Sequence, residues 1–426
     1  MILIIVGIAV LFFAIGFEMM LVLGVPTFLL KQSFFGSLPN EVLLQKMIGG
    51  INHPTLLAIP FFILAAEAMT TGQIAARLTG LVRSFLGHRR GGVGNSTVGS
   101  AMVFGAVSGS AAATVSAIGK IMYPELRKAG YNDKFSLGLI VSSAETAMLI
   151  PPSITIIIYG WLTGTSITKL FAAGLAIGLL LGLFFGLYVF WESGRQNATQ
   201  AQRENWSERW SAVKGASWAL GLPVIILGGI YSGYFTATEA ASISVIYAIL
   251  VEAFIYKELT WEKLFLIFER AAITTCVIFV LIAMGSVLAF FLTLFQLPQI
   301  LQAGIADLGV GPLGFLLIVN IVFLIAGMFI DPSSAMLILI PPLYPISVAL
   351  GIDPVHFGMV VTLNIGIAMI TPPFGLDIYV ASSTLNKPVL TVISGVWPFL
   401  LVNFAALAVV TLFPLTSTFL PALLGL

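Results

Sequence analysis

The sequence predicts an all-α polytopic membrane protein, built as an inverted-topology repeat with two re-entrant helical hairpins and two proline-broken helices. Three observations predict it. The 426 residues are 59% hydrophobic and only 9% charged, with a mean hydropathy of +1.07, which leaves too little charge to cover a soluble domain of this size. The segment Ala147-Met148-Leu149-Ile150-Pro151-Pro152 recurs as Ala368-Met369-Ile370-Thr371-Pro372-Pro373, 221 residues on at Ala, at Met and at both prolines. Lys and Arg are distributed in opposite ways around the two copies.

The first observation fixes the solvent. A helix needs about 20 apolar residues to cross the hydrocarbon core, and candidate crossings lie near 3–30, 54–72, 135–160, 167–192, 216–235, 237–256, 271–294, 355–385 and 388–413. Two further apolar stretches, 92–121 and 312–348, are too long for one helix. Each carries a polar turn: Ser108-Gly109-Ser110 in the first, Asp331-Pro332-Ser333-Ser334 in the second. Polar, non-helical backbone at that depth is tolerated only under cover of protein or a water-filled cavity. Both stretches therefore read as hairpins that enter and leave on one side. Residues 71–90 and 296–310 precede them, look amphipathic, and read as connecting arms along the membrane surface.

Net charge of +1 argues against a nucleic-acid partner, and the single cysteine, Cys276, excludes an internal disulfide framework. The opening MILIIVGIAV lacks the basic region of a cleavable leader and runs into a full-length apolar span.

Orientation follows from the basic residues. Arg77, Arg83, Arg89, Arg90, Lys120, Arg127, Lys128 and Lys134 flank the first hairpin, which should open to the cytoplasm. No Lys or Arg stands between Ala271 and Asn386, so the second hairpin should open on the opposite face. An N terminus inside and a C terminus in the periplasm leave only Lys31, Lys46 and Lys169 outside. Residues 1–192 then form the first repeat, 193–235 a cytoplasmic linker (193–215) with a connecting span, and 236–426 the second repeat. The repeat extends past the prolines: Tyr123-Pro124 matches Tyr344-Pro345, Gly130 matches Gly351, Ser110 matches Asp331, and Ser143 matches Asn364. Inverted repeats typify secondary transporters, with the binding site at the repeat interface near the midplane.

Proline lacks an amide hydrogen and its ring clashes with the carbonyl four residues back, while the residue before it is pushed out of the helical region. Pro151 and Pro152 thus free the Ala147 and Met148 carbonyls; Pro372 and Pro373 free those of Ala368 and Met369. Such carbonyls, with nearby hydroxyls and amides, suit a desolvated Na⁺. The candidate Na⁺ donors are Ser108, Gly109, Ser110, Ser143 and Thr146 from the first half, and Asp331, Ser333, Asn364, Gly366 and Thr371 from the second. Candidate substrate contacts are Ser108, Ser110, Glu145, Pro151, Pro152, Ser334, Pro372 and Pro373. Asp331-Pro332 also has the form of an N-cap followed by proline at the first helical position, and Ser108 and Ser110 equally suit close helix packing. Glu145 stands where Gly366 stands in the other half and is either paired or protonated. With no Lys or Arg in a core element, an anion would be held by helix N-termini, bound cations and hydroxyls.

The hairpin AMVFGAVSGSAAATVSAIGKIMYPELRKAGY followed by IPPSITIIIYG, with HPTLLAIPFFILAAEAM and MITPPFGLDIYVAS, resembles the large membrane subunit of tripartite ATP-independent periplasmic (TRAP) transporters over essentially the whole chain. The resemblance implies an elevator-type, Na⁺-coupled importer of small organic acids, C4-dicarboxylates and sialic acids among them, in the bacterial inner membrane. It implies no organic cofactor, and two protein partners: a small four-helix membrane subunit and a soluble periplasmic binding protein that delivers the substrate. Hairpins and broken helices would form a mobile transport domain, and the early spans of each half a scaffold in the bilayer with the small subunit. A symporter without a binding protein is an alternative. So is a channel, since re-entrant hairpins also build filters. An intramembrane serine hydrolase would need a general base near Ser108, and His53, His88 and His356 all fall in loops or at span ends.

Overall fold

The computed structural model describes residues 7, 11–12, 15–70 and 74–426. Among the described residues every regular element is helical. The first half runs α1 (Met19–Phe34), α2 (Asn40–Ile51), α3 (Ala58–Thr70), α4 (Ile74–Leu86), α5 (Gly92–Ser108), α6 (Ala111–Lys128), α7 (Asp133–Ala144), α8 (Ile154–Thr163) and α9 (Ile167–Arg195). Helix α10 (Trp206–Tyr231) leads to the second half: α11 (Ala237–Leu250), α12 (Trp261–Leu294), α13 (Leu297–Asp307), α14 (Pro312–Gly327), α15 (Pro332–Ala349), α16 (Pro354–Met369), α17 (Leu376–Leu385), α18 (Val389–Leu412) and α19 (Leu415–Leu423).

Both long apolar stretches fold as pairs of helices in contact, α5–α6 and α14–α15. Both expected breaks are present. Helix α7 tightens into a 3₁₀ turn, Glu145–Met148, before the chain opens and restarts as α8. Helix α16 ends at Met369 and restarts as α17. The offset of 221 holds at the level of single residues. Ala111 and Lys128 bound α6 as Pro332 and Ala349 bound α15, and Asp133 to Met148 answers Pro354 to Met369. Caps repeat as well: Asn132 accepts the Phe135 amide at 2.8 Å, and its counterpart Asp353 accepts the Val355 and His356 amides at 2.8 and 3.0 Å. A cap oxygen at that place satisfies donors the helix start would otherwise leave bare.

Other boundaries differ from the sequence expectation. Residues 3–6, 8–10 and 13–14 of the expected first span, and 71–73 where the second span meets its arm, lie outside the described residues. The second span is a bent pair, α2 with Pro54–Thr70, turning through 58°. Its counterpart at the same offset is the unbroken α12, which begins ten residues before the apolar run because Thr260 caps it by accepting the Lys263 amide at 3.3 Å. The polar linker is largely helical: α9 runs in as far as Arg195 and α10 starts at Trp206. The Asn205 amide donates to Glu208 Oε2 at 2.7 Å there, half of a capping box. Among the described residues six helices are long and apolar enough to cross a membrane, or seven if the bent pair counts as one span.

The halves interlock by exchange. Helix α8 packs on α15 of the other half, and α17 packs on α6. The Tyr159 hydroxyl on α8 donates to the Pro354 carbonyl at 2.6 Å. Helices α7 and α18 approach backbone to backbone: a Cβ on Gly138 would lie 2.1 Å from the Gly395 carbonyl oxygen, so no larger side chain fits that seam.

One clamp of this seam is ionic. Asp133, at the start of α7, accepts the Tyr123 hydroxyl at 2.8 Å and pairs with Arg127 Nε at 2.7 Å and with Lys387 Nζ at 3.4 Å. Tyr123, then Arg127 and Lys387, hold its carboxyl below the usual aspartate range. A depressed carboxylate stabilises the fold above its unfolded-state pKa, about 3.9, and that contribution fades as pH falls through the lower folded value. Melting of the parent protein against Asp133→Asn should show a gap in Tm that is constant from neutral pH down to about 4 and narrows below it. A gap of the same size at every pH would mean that the carboxylate charge plays no part.

Candidate functional site

Each hairpin tip is seated on the break of its own half. In the first, Ser110 caps α6 by accepting the Ala113 amide at 3.4 Å. The Thr114 hydroxyl donates to the Ser110 carbonyl at 2.8 Å and lies 3.1 Å from Ser108 Oγ. Between the serines Gly109 takes the left-handed conformation, φ +59°, and faces the Pro152 carbonyl so closely that a Cβ would lie 2.3 Å from that oxygen. Lower in the same interface, a Cβ on Gly105 would stand 2.7 Å from Ala147. In the second half a Cβ on Gly327 would stand 2.6 Å from the Ala368 Cβ, and the Phe329 and Phe374 rings meet at 5.5 Å between centroids.

The breaks are rich in oxygen. Ser153 donates to the Met148 carbonyl at 2.6 Å, and Thr146 to the Ser143 carbonyl at 2.6 Å. Ser143 donates to Ile140, and Thr371 to Ile367 at 2.7 Å. The Ser143, Thr146 and Thr371 hydroxyls donate back along their own helices and Ser153 across the break, which leaves oxygen lone pairs for an acceptor-seeking cation. Ser108, Ser143, Thr146 and Ser334 are buried, whereas Ser110, Asp331, Ser333 and Thr371 are half-buried. Pro151 and Pro152 are buried, whereas Pro372 is half-buried and Pro373 exposed, so the second break lies nearer the surface.

Asp331 caps α15. Its Oδ2 accepts the Ser333 and Ser334 amides at 3.0 and 3.1 Å, and its Oδ1 accepts the Ser334 hydroxyl at 2.5 Å. Asn364 donates to Asn320 Oδ1 and to the Val360 carbonyl, both at 2.8 Å, and Asn320 donates to Thr411 Oγ1 at 3.0 Å. Hydrogen bonds between helices in a membrane average about 0.6 kcal/mol each, so this chain secures α14, α16 and α18 only modestly. Asn364 Oδ1 stays buried without a partner. Gly366 meets Glu145: a Cβ on the glycine would lie 3.7 Å from the glutamate Cβ. Positions 221 residues apart thus touch. Among the described residues no hydrogen bond joins Ser108 to a histidine: its hydroxyl is engaged with Thr114, and His356 Nδ1 lies 3.1 Å from Ser417 Oγ.

The buried polar side chains that escaped the sequence reading include Asn320, Asp377 and Asn403. The signal for Asp377 was present, because a carboxylate inside an expected span is a functional candidate by default.

The family model described as "Tripartite ATP-independent periplasmic transporter, DctM component" matches residues 5–416. The chain belongs to the DctM family. It is 41% identical to the ectoine TRAP transporter large permease protein TeaC of Halomonas elongata, over 95% of each chain. It is 38% identical to the C4-dicarboxylate TRAP transporter large permease protein DctM of Pseudomonas aeruginosa, and 36% identical to the sialic acid TRAP transporter large permease protein SiaM of Vibrio cholerae, each over 89% of both chains. The YdaH transporter of Alcanivorax borkumensis has the same fold, with a TM-score of 0.61 at 15% identity over 90% of this chain and 87% of that one. This DctM-family protein is therefore a multi-pass membrane permease component of a TRAP transporter, not an enzyme.

Proposed function

We propose that this permease is the membrane path of a Na⁺-coupled importer for a small carboxylate-bearing solute, with alternating access of the elevator type. The observation that carries the reading is the pair of matched tip-on-break sites, Gly109 on Pro152 and Phe329 on Phe374, in a core without Lys or Arg. Hydroxyl and carbonyl oxygens at those breaks suit Na⁺, and the start of α15 at Asp331 turns a helix N-terminus toward the tip, where an anionic group is favoured. Cations that complete the site make anion binding favourable, so the two travel together.

The hairpin α5–α6 re-enters from the cytoplasm and α14–α15 from the periplasm, in the inner membrane, with the N terminus inside and the C terminus outside. Residues 1–192 and 236–426 are the two inverted repeats, joined through 193–235. Helices α1–α3 and α11–α12 form the scaffold that meets a small four-helix subunit, and a periplasmic binding protein delivers the solute. The named solutes of the relatives (ectoine, C4-dicarboxylates, sialic acid) share a carboxylate. Ectoine also carries a cationic group, and the 41% and 38% identities to ectoine permeases make a compact zwitterion the first substrate to try, ahead of a dicarboxylate or sialic acid.

The test is uptake of labelled solute into proteoliposomes holding the permease and its small subunit. Accumulation is expected only with an inward Na⁺ gradient and the binding protein together. Uptake driven by Na⁺ without the binding protein would leave a two-component symporter instead, and conductance without saturation would leave a channel.

A further inference from the structure

The face of the molecule formed by α9 and α18 carries a groove. The principal packing partners of these two helices are each other and α5, α7, α8, α14, α16, α17 and α19, none of them a helix of the proposed scaffold. Between α9 of the first repeat and α18 of the second lies a space of about 610 Å³. Phe184, Leu187 and Tyr188 line one wall, and Leu401 and Ala405 the other. Leu187, Leu401 and Ala405 are exposed, so this apolar surface is left to the membrane.

Length and charge decide what fills it. From Arg195, the last residue of α9, to Phe184 the wall runs about 16 Å along the helix. One leaflet is half of a hydrocarbon core about 30 Å thick, so the groove has the depth of one acyl chain. A transmembrane helix would need the full thickness. At the Arg195 end the chemistry changes. Trp191 is exposed, the Arg195 guanidinium lies over its ring at 4.8 Å, and the Tyr188 ring stands 6.1 Å from it. Amphipathic rings of this kind sit at the headgroup level. A guanidinium carries five donors in a fork that matches phosphate. Glu192 Oε2 accepts one of them at 3.5 Å, while its Oε1 accepts the Gln196 amide at 2.9 Å. On the α18 side Lys134 is exposed, and its carbonyl oxygen would lie 2.1 Å from a Cβ on Gly395. Its neighbour Asp133 is already paired with Arg127 and Lys387. Cations thus head both walls.

We propose that this groove seats one anionic phospholipid from the leaflet at the Arg195 end, cytoplasmic in the proposed orientation. Its phosphate meets Arg195 and Lys134, and an acyl chain lies against Leu187, Leu401 and Ala405. Basic pockets between spans on that side of a membrane recognise such headgroups. The lipid joins the two repeats beside the ring contacts of Tyr188 and Phe185 with Phe399, at 5.0 and 6.2 Å.

The test is native mass spectrometry of the delipidated full chain in detergent, titrated with phosphatidylglycerol or with phosphatidylcholine of the same acyl chains. The parent should hold one phosphatidylglycerol roughly tenfold more tightly than phosphatidylcholine, given two basic residues at the headgroup level. Arg195→Ala/Lys134→Ala should abolish that preference. Ala405→Trp, which fills the apolar end, should remove the tight site for both lipids. All three positions are exposed, so parental Tm is expected. Lys257→Ala, a basic residue outside the groove, should change nothing. An unchanged preference in the double variant would overturn the site, and so would an equal loss in Lys257→Ala, which would assign the preference to diffuse surface charge. Expulsion of the lipid by the small subunit, or by pairing of two copies of the chain, would give the groove to a protein partner and overturn it too. None of these readings involves transport, so Na⁺ coupling stands or falls separately.

Discussion

Gly109→Ala is expected to bring solute uptake to background. Two independent penalties meet at that residue. Its φ of +59° lies in the left-handed region, which costs an L-residue about 1–2 kcal/mol. Its Cβ would also stand 2.3 Å from the Pro152 carbonyl oxygen, so the tip must lift off the break to admit a methyl group. A backbone adjustment that eases the first penalty does nothing for the second. Gly130 provides the comparison, since its φ is +93° but nothing lies within 4 Å of an added Cβ. Gly130→Ala should lower Tm by a few degrees and keep uptake within about twofold, consistent with a purely conformational cost near 1 kcal/mol. Full uptake by Gly109→Ala in proteoliposomes would show that contact between tip and break is not part of the transport cycle.

Asp331 separates cap from charge. Asparagine caps helices about as well as aspartate, so Asp331→Asn keeps an oxygen for the Ser333 and Ser334 amides and removes only the negative charge. Asp331→Ala removes both, and should cost about 1 kcal/mol of stability through the lost cap. For uptake the expectation is a fall of about tenfold or more in Asp331→Asn and near-complete loss in Asp331→Ala, in line with the roughly 1.5–3 kcal/mol of a charge-assisted bond. Parent-level uptake by Asp331→Asn, at parent Tm, would reduce the carboxylate to a helix cap.

The breaks, the tips and the Asp331 cap were legible because each has a local cause: tandem proline, a Ser-Gly-Ser turn, an aspartate ahead of a proline. Proline pairs alone do not decide, however. Pro341 and Pro342 lie inside α15 without ending it, and that helix continues across α8 and α12. The dipeptide removes amide donors in every case, while packing determines whether the chain then turns. Helix α2 was missed because Asn40–Ile51 is too short to register as a span, and the start of α10 because polar composition hid the box formed by Asn205 and Glu208. Asp377 and Asn403 were missed for a different reason, although Asp377 carried the signal of a carboxylate inside an expected span. Their burial depends on α17 and α18 packing on α6 and α7 from the far half of the chain, and no periodicity encodes that encounter.

The exchange of half-helices bears on how such a chain arose. In each half the segment after the break rests on the second hairpin helix of the other, α8 on α15 and α17 on α6. An ancestor of one unit would have left that segment bare unless another copy of itself supplied the missing surface. A duplication with fusion would turn such an obligate pair of identical molecules into a single gene product. From that point the two sides were free to diverge, and glutamate at 145 facing glycine at 366 is a difference that identical copies could never have held.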